Sequence, residues 1–385
     1  MNLHSLVGPQ CSIGQRVRRA ITLGLTLAAA GSSAVTLAEA QTKTAPPARR
    51  PKPQHEIKLA TLAPEGSTWM NIMHELDDAV RATTENRVGF KFYPGGVQGE
   101  ELVVLKKIRL GQLQGGGFSG QGLGEIASEL RVLELPFMFK NTDEIDRVHA
   151  ALDPTFEELV EKNGFVILGW TEVGFIYLFT DRPVTGPEDL KQVKMWLWEG
   201  DPLATAFFNA YGISPIPLAP TDVLTALQTK LVNGVYTSPL ACIALQWNTR
   251  VSHMTDCRLT HGMAAVVLDR KAWDPIAPAD REQITTLARE HFQRLTARTR
   301  SENERSIAEM KKRGLTVVNV DPARIAEFEA IGKRVWKEQT GKLYPAPLLA
   351  QVEEAVTACR EGKPAPSVST KPPAKSSALS PSGGH

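Results

Sequence analysis

A chain of 385 residues is long enough for two lobes, each with its own core. Its 42% hydrophobic and 22% charged content is ordinary for a soluble globular protein. A net charge of +2, from 44 basic and 42 acidic residues, gives no ground for nucleic acid or an anionic membrane as partner. The seven tryptophans are unusual, and Trp69, Trp170, Trp196 and Trp198 fall in loop-flanked or strand-end stretches where an apolar ligand would be gripped.

Arg16, Arg18 and Arg19 precede an apolar run, residues 20–37, and Ala38-Glu39-Ala40 fits a small-x-small cleavage site before Gln41. Residues 1–40 therefore read as the signal peptide of an exported protein, with a bacterial periplasm as destination. A membrane anchor is the competing reading, but the run is broken by Gly31-Ser32-Ser33 and lacks the ~20 strongly apolar residues of a spanning helix. Residues 41–55, rich in Pro, Lys, Arg and Thr, read as a flexible tether. After cleavage Cys242, Cys257 and Cys359 remain, and either a Cys242–Cys257 bridge or isolated thiols fit an oxidising compartment. His253, Cys257 and His261 have a four-residue spacing, but nothing else in the stretch supports a metal, and no cofactor is expected.

The folded part opens on an alternating strand, residues 56–60. A helix follows to about Thr84 with Ser67 or Thr68 as cap, then a strand over 87–93 and a helix over 100–110. This alternation argues for an α/β lobe with a largely parallel sheet. Residues 115–120 satisfy G-x-G-x-x-G, yet the segment before them is charged and helical, so no dinucleotide site is inferred. The glycines are better explained by close approach of a ligand or a second backbone. A helix is expected over 142–163, with strands over 165–169 and 175–180.

Pro187-Glu188-Asp189-Leu190 reads as a short helix whose acids suit its N-terminal dipole. From Val193 to Trp198, Val193/Met195/Leu197 alternate with Lys194/Trp196/Trp198, giving one aliphatic face for a core and one face with two tryptophans. Asp201-Pro202 suits the start of the next helix. Further strands are expected at 213–217, 232–237, 262–269 and 315–318, with helices at 279–312, 322–339 and 348–359. Residues 361–385, rich in Pro, Ser, Lys and Gly, read as disordered.

Residues 56–360 resemble the periplasmic solute-binding proteins of TRAP transporters, the DctP-like family. The resemblance is carried by Leu59-Ala60-Thr61 with Ser67-Thr68-Trp69, by residues 92–99 (Phe-Tyr-Pro-Gly-Gly-Val-Gln-Gly), and by Leu133-Glu134-Leu135-Pro136-Phe137. Pro187-Glu188-Asp189-Leu190-Lys191 and Thr225-Ala226-Leu227-Gln228-Thr229 complete it. It implies an α/β, two-lobed Venus-flytrap fold braced by a long helix, with residues 56–179 plus 262–312 as lobe I and 180–261 plus 313–360 as lobe II. It also implies capture of a small organic solute and delivery to TRAP membrane permease subunits, with a periplasmic tetratricopeptide-repeat protein as a further partner by analogy.

Where relatives carry a carboxylate-clamping arginine after the Asp-Leu-Lys helix, this chain has Trp196, and an indole cannot make the bidentate contact of a guanidinium. Tyr236 stands near a position where many members have a polar anchor, and no arginine follows Gly174. The expected cargo is therefore apolar or amphipathic. The expected binding residues are Trp196, Trp198, Tyr236, Trp170, Phe118, Ser119, Glu65, Phe137 and Phe175. Glu65, Glu134 and Glu199 could instead meet a cation or hydroxyls. A carboxylate receptor with a relocated anchor and a ligand-presenting sensor remain as alternatives. An exported enzyme is disfavoured, because Ser119, His253 and His261 have no identifiable third partner.

Overall fold

The computed structural model describes residues 51–364. The expected signal peptide, the tether up to residue 50 and the tail from residue 365 lie outside the described residues. Strands and helices follow in the order β1 (His55–Ala60), α1 (Thr68–Thr83), β2 (Val88–Tyr93), α2 (Glu101–Arg109), β3 (Gly115–Ser119), α3 (Gly120–Ile126), α4 (Thr142–Lys162), β4 (Phe165–Thr180), α5 (Pro187–Leu190), β5 (Trp196–Trp198) and α6 (Pro202–Ala210). Then come β6 (Ile216–Leu218), α7 (Val223–Gln228), β7 (Gly234–Thr237), α8 (Pro239–Ala244), β8 (His253–Asp269), α9 (Arg270–Trp273), α10 (Pro278–Lys312), β9 (Thr316–Asn319), α11 (Pro322–Gln339) and α12 (Ala346–Arg360).

Local chemistry sets many of these ends. Ser67 caps α1 through Met70 N (3.3 Å), Asn141 caps α4 through Glu144 N (3.0 Å), and Asp201 caps α6. The main sheet runs β2-β1-β3-β8-β4-β7, with β9 also on β8, and β5 and β6 form a small parallel pair. β4 and β8 are long and antiparallel, paired from Phe165↔Asp269 to Thr180↔His253. Their two ends have different neighbours: the C-terminal half of β8 pairs with β3, whereas its first residues pair with β9, and the end of β4 pairs with β7.

Two half-sheets thus share only β4 and β8, and the result is a two-lobed α/β molecule. The ladder slips between Glu172 and Gly174 and again between Ile176 and Leu178, which marks the bend between the halves. Residues 165–180 form one strand rather than the expected two, because Trp170 and Thr171 keep their pairing with Ala265 and Ala264.

Helix α10 lies along α1, β4 and α8 and so braces both halves. Its apolar stripe includes Ile284, Phe292 and Leu295, and Phe292 fits because Gly169 lacks a side chain: a Cβ there would lie 2.1 Å from the ring. One expectation needs correcting. Helix α12, assigned to the second lobe, buries Leu348, Val352 and Val356 in the cluster that holds Val148, Leu152 and Phe156 of α4, in the first half. Cys242 and Cys257 are free thiols in separate clusters, so they do not bridge. No described helix is long and apolar enough to cross a membrane.

Candidate ligand-binding cleft

A cleft of about 940 Å³ opens over the bend, floored by Glu172, Val173 and Ile176 of β4 and Leu259, Thr260 and Gly262 of β8. One side comes from the start of α1 and the β3–α3 junction, and the other from β5, β7 and α8.

The aromatic side grows directly from the alternation in 193–198. Val193, Met195 and Leu197 point into one core, while Trp196 and Trp198 point the other way. Trp196 is only 2% exposed; it stacks on Tyr236 (centroids 5.0 Å, 22°) and meets Trp247 edge-on (5.1 Å, 71°). Its indole Nε1 donates to the Leu218 carbonyl at 2.9 Å, and the Tyr236 hydroxyl accepts from Trp198 N at 3.1 Å. Burial raises the Tyr236 pKa, so the ring stays neutral. The polar atoms of Trp196 and Tyr236 are spent within the protein, and carbon faces line the cleft.

The opposite region is charged. Arg131, in the 3₁₀ turn Ser128–Glu134, donates from Nη2 to both oxygens of Asp201 (2.9 Å each) and places Nη1 2.9 Å from Glu134 Oε2. Asp201 Oδ1 also accepts from Leu203 N and Ala204 N at the head of α6. Burial pushes Glu134 up to about 7, against the pull of Arg131. Glu101 is likewise pushed up to about 7 by burial, although Ser119 N, Ser119 Oγ and Gly122 N all donate to it. Sequence reasoning missed Arg131. The available signal was an arginine three residues before Glu134 inside an otherwise apolar stretch, but its partner Asp201 is 70 residues away.

The glycine run takes its meaning from these side chains. A Cβ on Gly120 would lie 1.8 Å from Glu134 Oε2, and one on Gly117 would lie 2.8 Å from the Trp69 ring. The expected close backbone approach holds at Gly115, beside the Val267 carbonyl, and at Gly116, beside the Ala60 carbonyl, but from Gly117 on it is side chains that need the space.

Of the residues expected from sequence, Trp196, Trp198, Tyr236, Phe118 and Ser119 meet in the cleft wall, and Phe118 is almost wholly buried there. Four lie elsewhere. Trp170 packs edge-on against His149 (5.4 Å) and Phe156 (6.3 Å) under α4, because its face of β4 is covered by that helix. Glu65 is exposed and pairs with His74 (3.0 Å). Phe137 packs on Gly332 of α11, and Phe175 lies under the Arg258 guanidinium (4.5 Å) and against His261. Trp69 and Trp247 are in the wall as well.

Residues 59–342 match the family model DctP, described as bacterial extracellular solute-binding protein, family 7. The chain belongs to this family. A solute-binding protein of Verminephrobacter eiseniae is 27% identical over 277 residues, 69% of this chain and 81% of that one. The C4-dicarboxylate-binding periplasmic protein DctP of Rhodobacter capsulatus is 24% identical, covering 69% and 78%.

Among solved structures, a TRAP periplasmic solute-binding protein from Ralstonia eutropha with bound (S)-2-acetolactate aligns with a TM-score of 0.74 at 23% identity, over 79% of this chain and 99% of that one. The sugar acid binding protein DctPAm from Advenella mimigardefordensis, with galactonate, gives 0.74 at 18%, over 80% and 98%. DctP-family proteins are non-enzymatic transport receptors that bind small organic solutes and work with membrane permease components. This chain is therefore a solute-binding protein and not an enzyme.

Proposed function

We propose that this DctP-family protein works in the periplasm, where it holds an apolar or amphipathic organic solute between its lobes and hands it to a TRAP permease. The observation that carries this reading is the Trp196–Tyr236–Trp247 stack, whose tryptophan stands where the resemblance expects an arginine. Burying an aliphatic chain returns about 0.8 kcal/mol per methylene, so a cargo of about four to six carbons offsets the ~2–5 kcal/mol that a lost charge pair forfeits.

Two relatives are named for acids, a C4-dicarboxylate and galactonate, and an acid is the second reading. Arg131 favours it as a relocated anchor. Both its Nη atoms already serve carboxylates, so a proton on Glu134 would relieve the repulsion an acid meets at Nη1.

The test is native mass spectrometry of the protein as purified, followed by extraction and identification of the bound molecule. An organic solute with a hydrophobic body, lost in Trp198→Ala, is expected. A small polyhydroxylated acid or dicarboxylate, bound more tightly as pH falls, overturns the apolar reading in favour of the anchored acid.

A further inference from the structure

The walls of the cleft hold five carboxylates, Glu101, Glu134, Glu172, Asp201 and Glu302, and among the described residues one cationic side chain, Arg131. Two of the five are balanced. Arg131 pairs with Asp201, and Glu172 receives the Arg300 guanidinium at 2.8 and 3.0 Å from outside the wall. Glu134 has only a share in Arg131, through Nη1. Glu101 is held by neutral donors alone, and Glu302 by the Thr68 hydroxyl at 2.6 and 2.7 Å. As pH rises through about 7, where Glu101 and Glu134 ionise, the cleft gains surplus negative charge beside electron-rich ring faces, the surroundings that favour a cation and repel an anion.

A second observation is independent of charge. Gln121 is 7% exposed and lines the cleft; its Nε2 donates to the Glu199 carbonyl at 3.0 Å. A carbonyl accepts only from a donor, so that bond fixes the amide orientation and leaves Oε1 as a buried acceptor with no hydrogen bond. Such an atom calls for an N–H or O–H from a ligand. Two orphan donors adjoin the site: Arg131 Nε lies near the Gly124 side of α3, where a Cβ on Gly124 would be 3.7 Å away, and Trp198 Nε1 faces the Glu100 carboxyl, which is not part of the cleft wall.

From the surplus carboxylates and the orphan acceptor we infer that the cargo is an amphipathic amine, its ammonium N–H groups meeting Glu134 and Gln121 Oε1 and its hydrophobic body lying along Trp196, Trp198 and Tyr236. This inference rests on the amphipathic reading above and names the polar end of that ligand. The Tyr236 ring links the two parts, since its hydroxyl lies in the field of Asp201, Arg131 and Glu134. Burial favours the neutral form of Glu134, and an ammonium placed beside it would favour the ionised form, as Arg131 already does in part.

The experiment compares three probes of similar length by isothermal titration calorimetry on the full chain: 2-phenylethylamine, 2-phenylethanol and 3-phenylpropanoate. The amine is expected to bind about tenfold or more tightly than the alcohol, with the acid weakest. Glu134→Gln is expected to cut amine affinity about tenfold while moving alcohol affinity less than about twofold. Gln121→Met, which keeps the side-chain length and removes the acceptor, should lower amine affinity several-fold and covers the case in which the first variant does not fold.

Alcohol binding within about twofold of the amine overturns the ammonium assignment and leaves the amphipathic reading standing. Tightest binding of the acid overturns both. No binding of any probe at concentrations on the order of 1 mM also overturns the assignment, while the extracted ligand still decides the broader reading.

Discussion

The two sides of the cleft solve the problem of burial in opposite ways. The aromatic side is satisfied locally apart from Trp198 Nε1: Trp196 and Tyr236 bond to backbone atoms of their own half, and the rings stack on one another. The charged side is satisfied across a distance, through Arg131 of the 3₁₀ turn and Asp201 at the head of α6, and it ends with more carboxylates than cations. A self-satisfied wall can be trimmed with local consequences, whereas a charged cluster fails as a unit when one member goes.

The largest expected effect would break that contrast most directly. Arg131→Leu leaves Asp201 and Glu134 buried without their cation, and about 3–5 kcal/mol of stability should be lost in chemical denaturation. A loss below about 1 kcal/mol would mean that water reaches the cluster freely. Trp196→Ala should cost about 3–4 kcal/mol and also weaken ligand binding, because the ring is a core residue as well as a wall.

Next in size is a pH effect confined to the charged side. Glu101 and Glu134 sit near 7 in the folded state, against 4.5 for a free glutamate, so the folded chain holds more protons across that interval. The contribution is fully present below about pH 4.5 and is lost as pH rises through about 7, on the order of 3 kcal/mol per group at most. Denaturation midpoints measured from pH 5 to 8 should fall, and Glu101→Gln or Glu134→Gln should flatten the slope. The smallest effect belongs to the aromatic side: Tyr236→Phe removes the acceptor for Trp198 N and should cost about 1 kcal/mol, with no change in pH dependence.

The parts of the fold that were legible in sequence are those governed by neighbours a few residues apart. Ser67 and Asp201 announce their helices, and the alternation from Val193 to Trp198 sorts two faces correctly. What alternation does not reveal is which face of a strand lies under a helix. Trp170 and Phe175 therefore looked like Trp196 in sequence and yet pack away from the cleft. Arg131 was hidden for a different reason: its role depends on a partner 70 residues later, and spacing along the chain carries no trace of such a pair.

Glu172, Val173 and Ile176 belong at once to the slipped stretch of β4 and to the surface a guest would touch. Filling and bending are then one coordinate and not two. A guest resting on these residues would press on the one stretch where the two halves are joined by a slipped ladder.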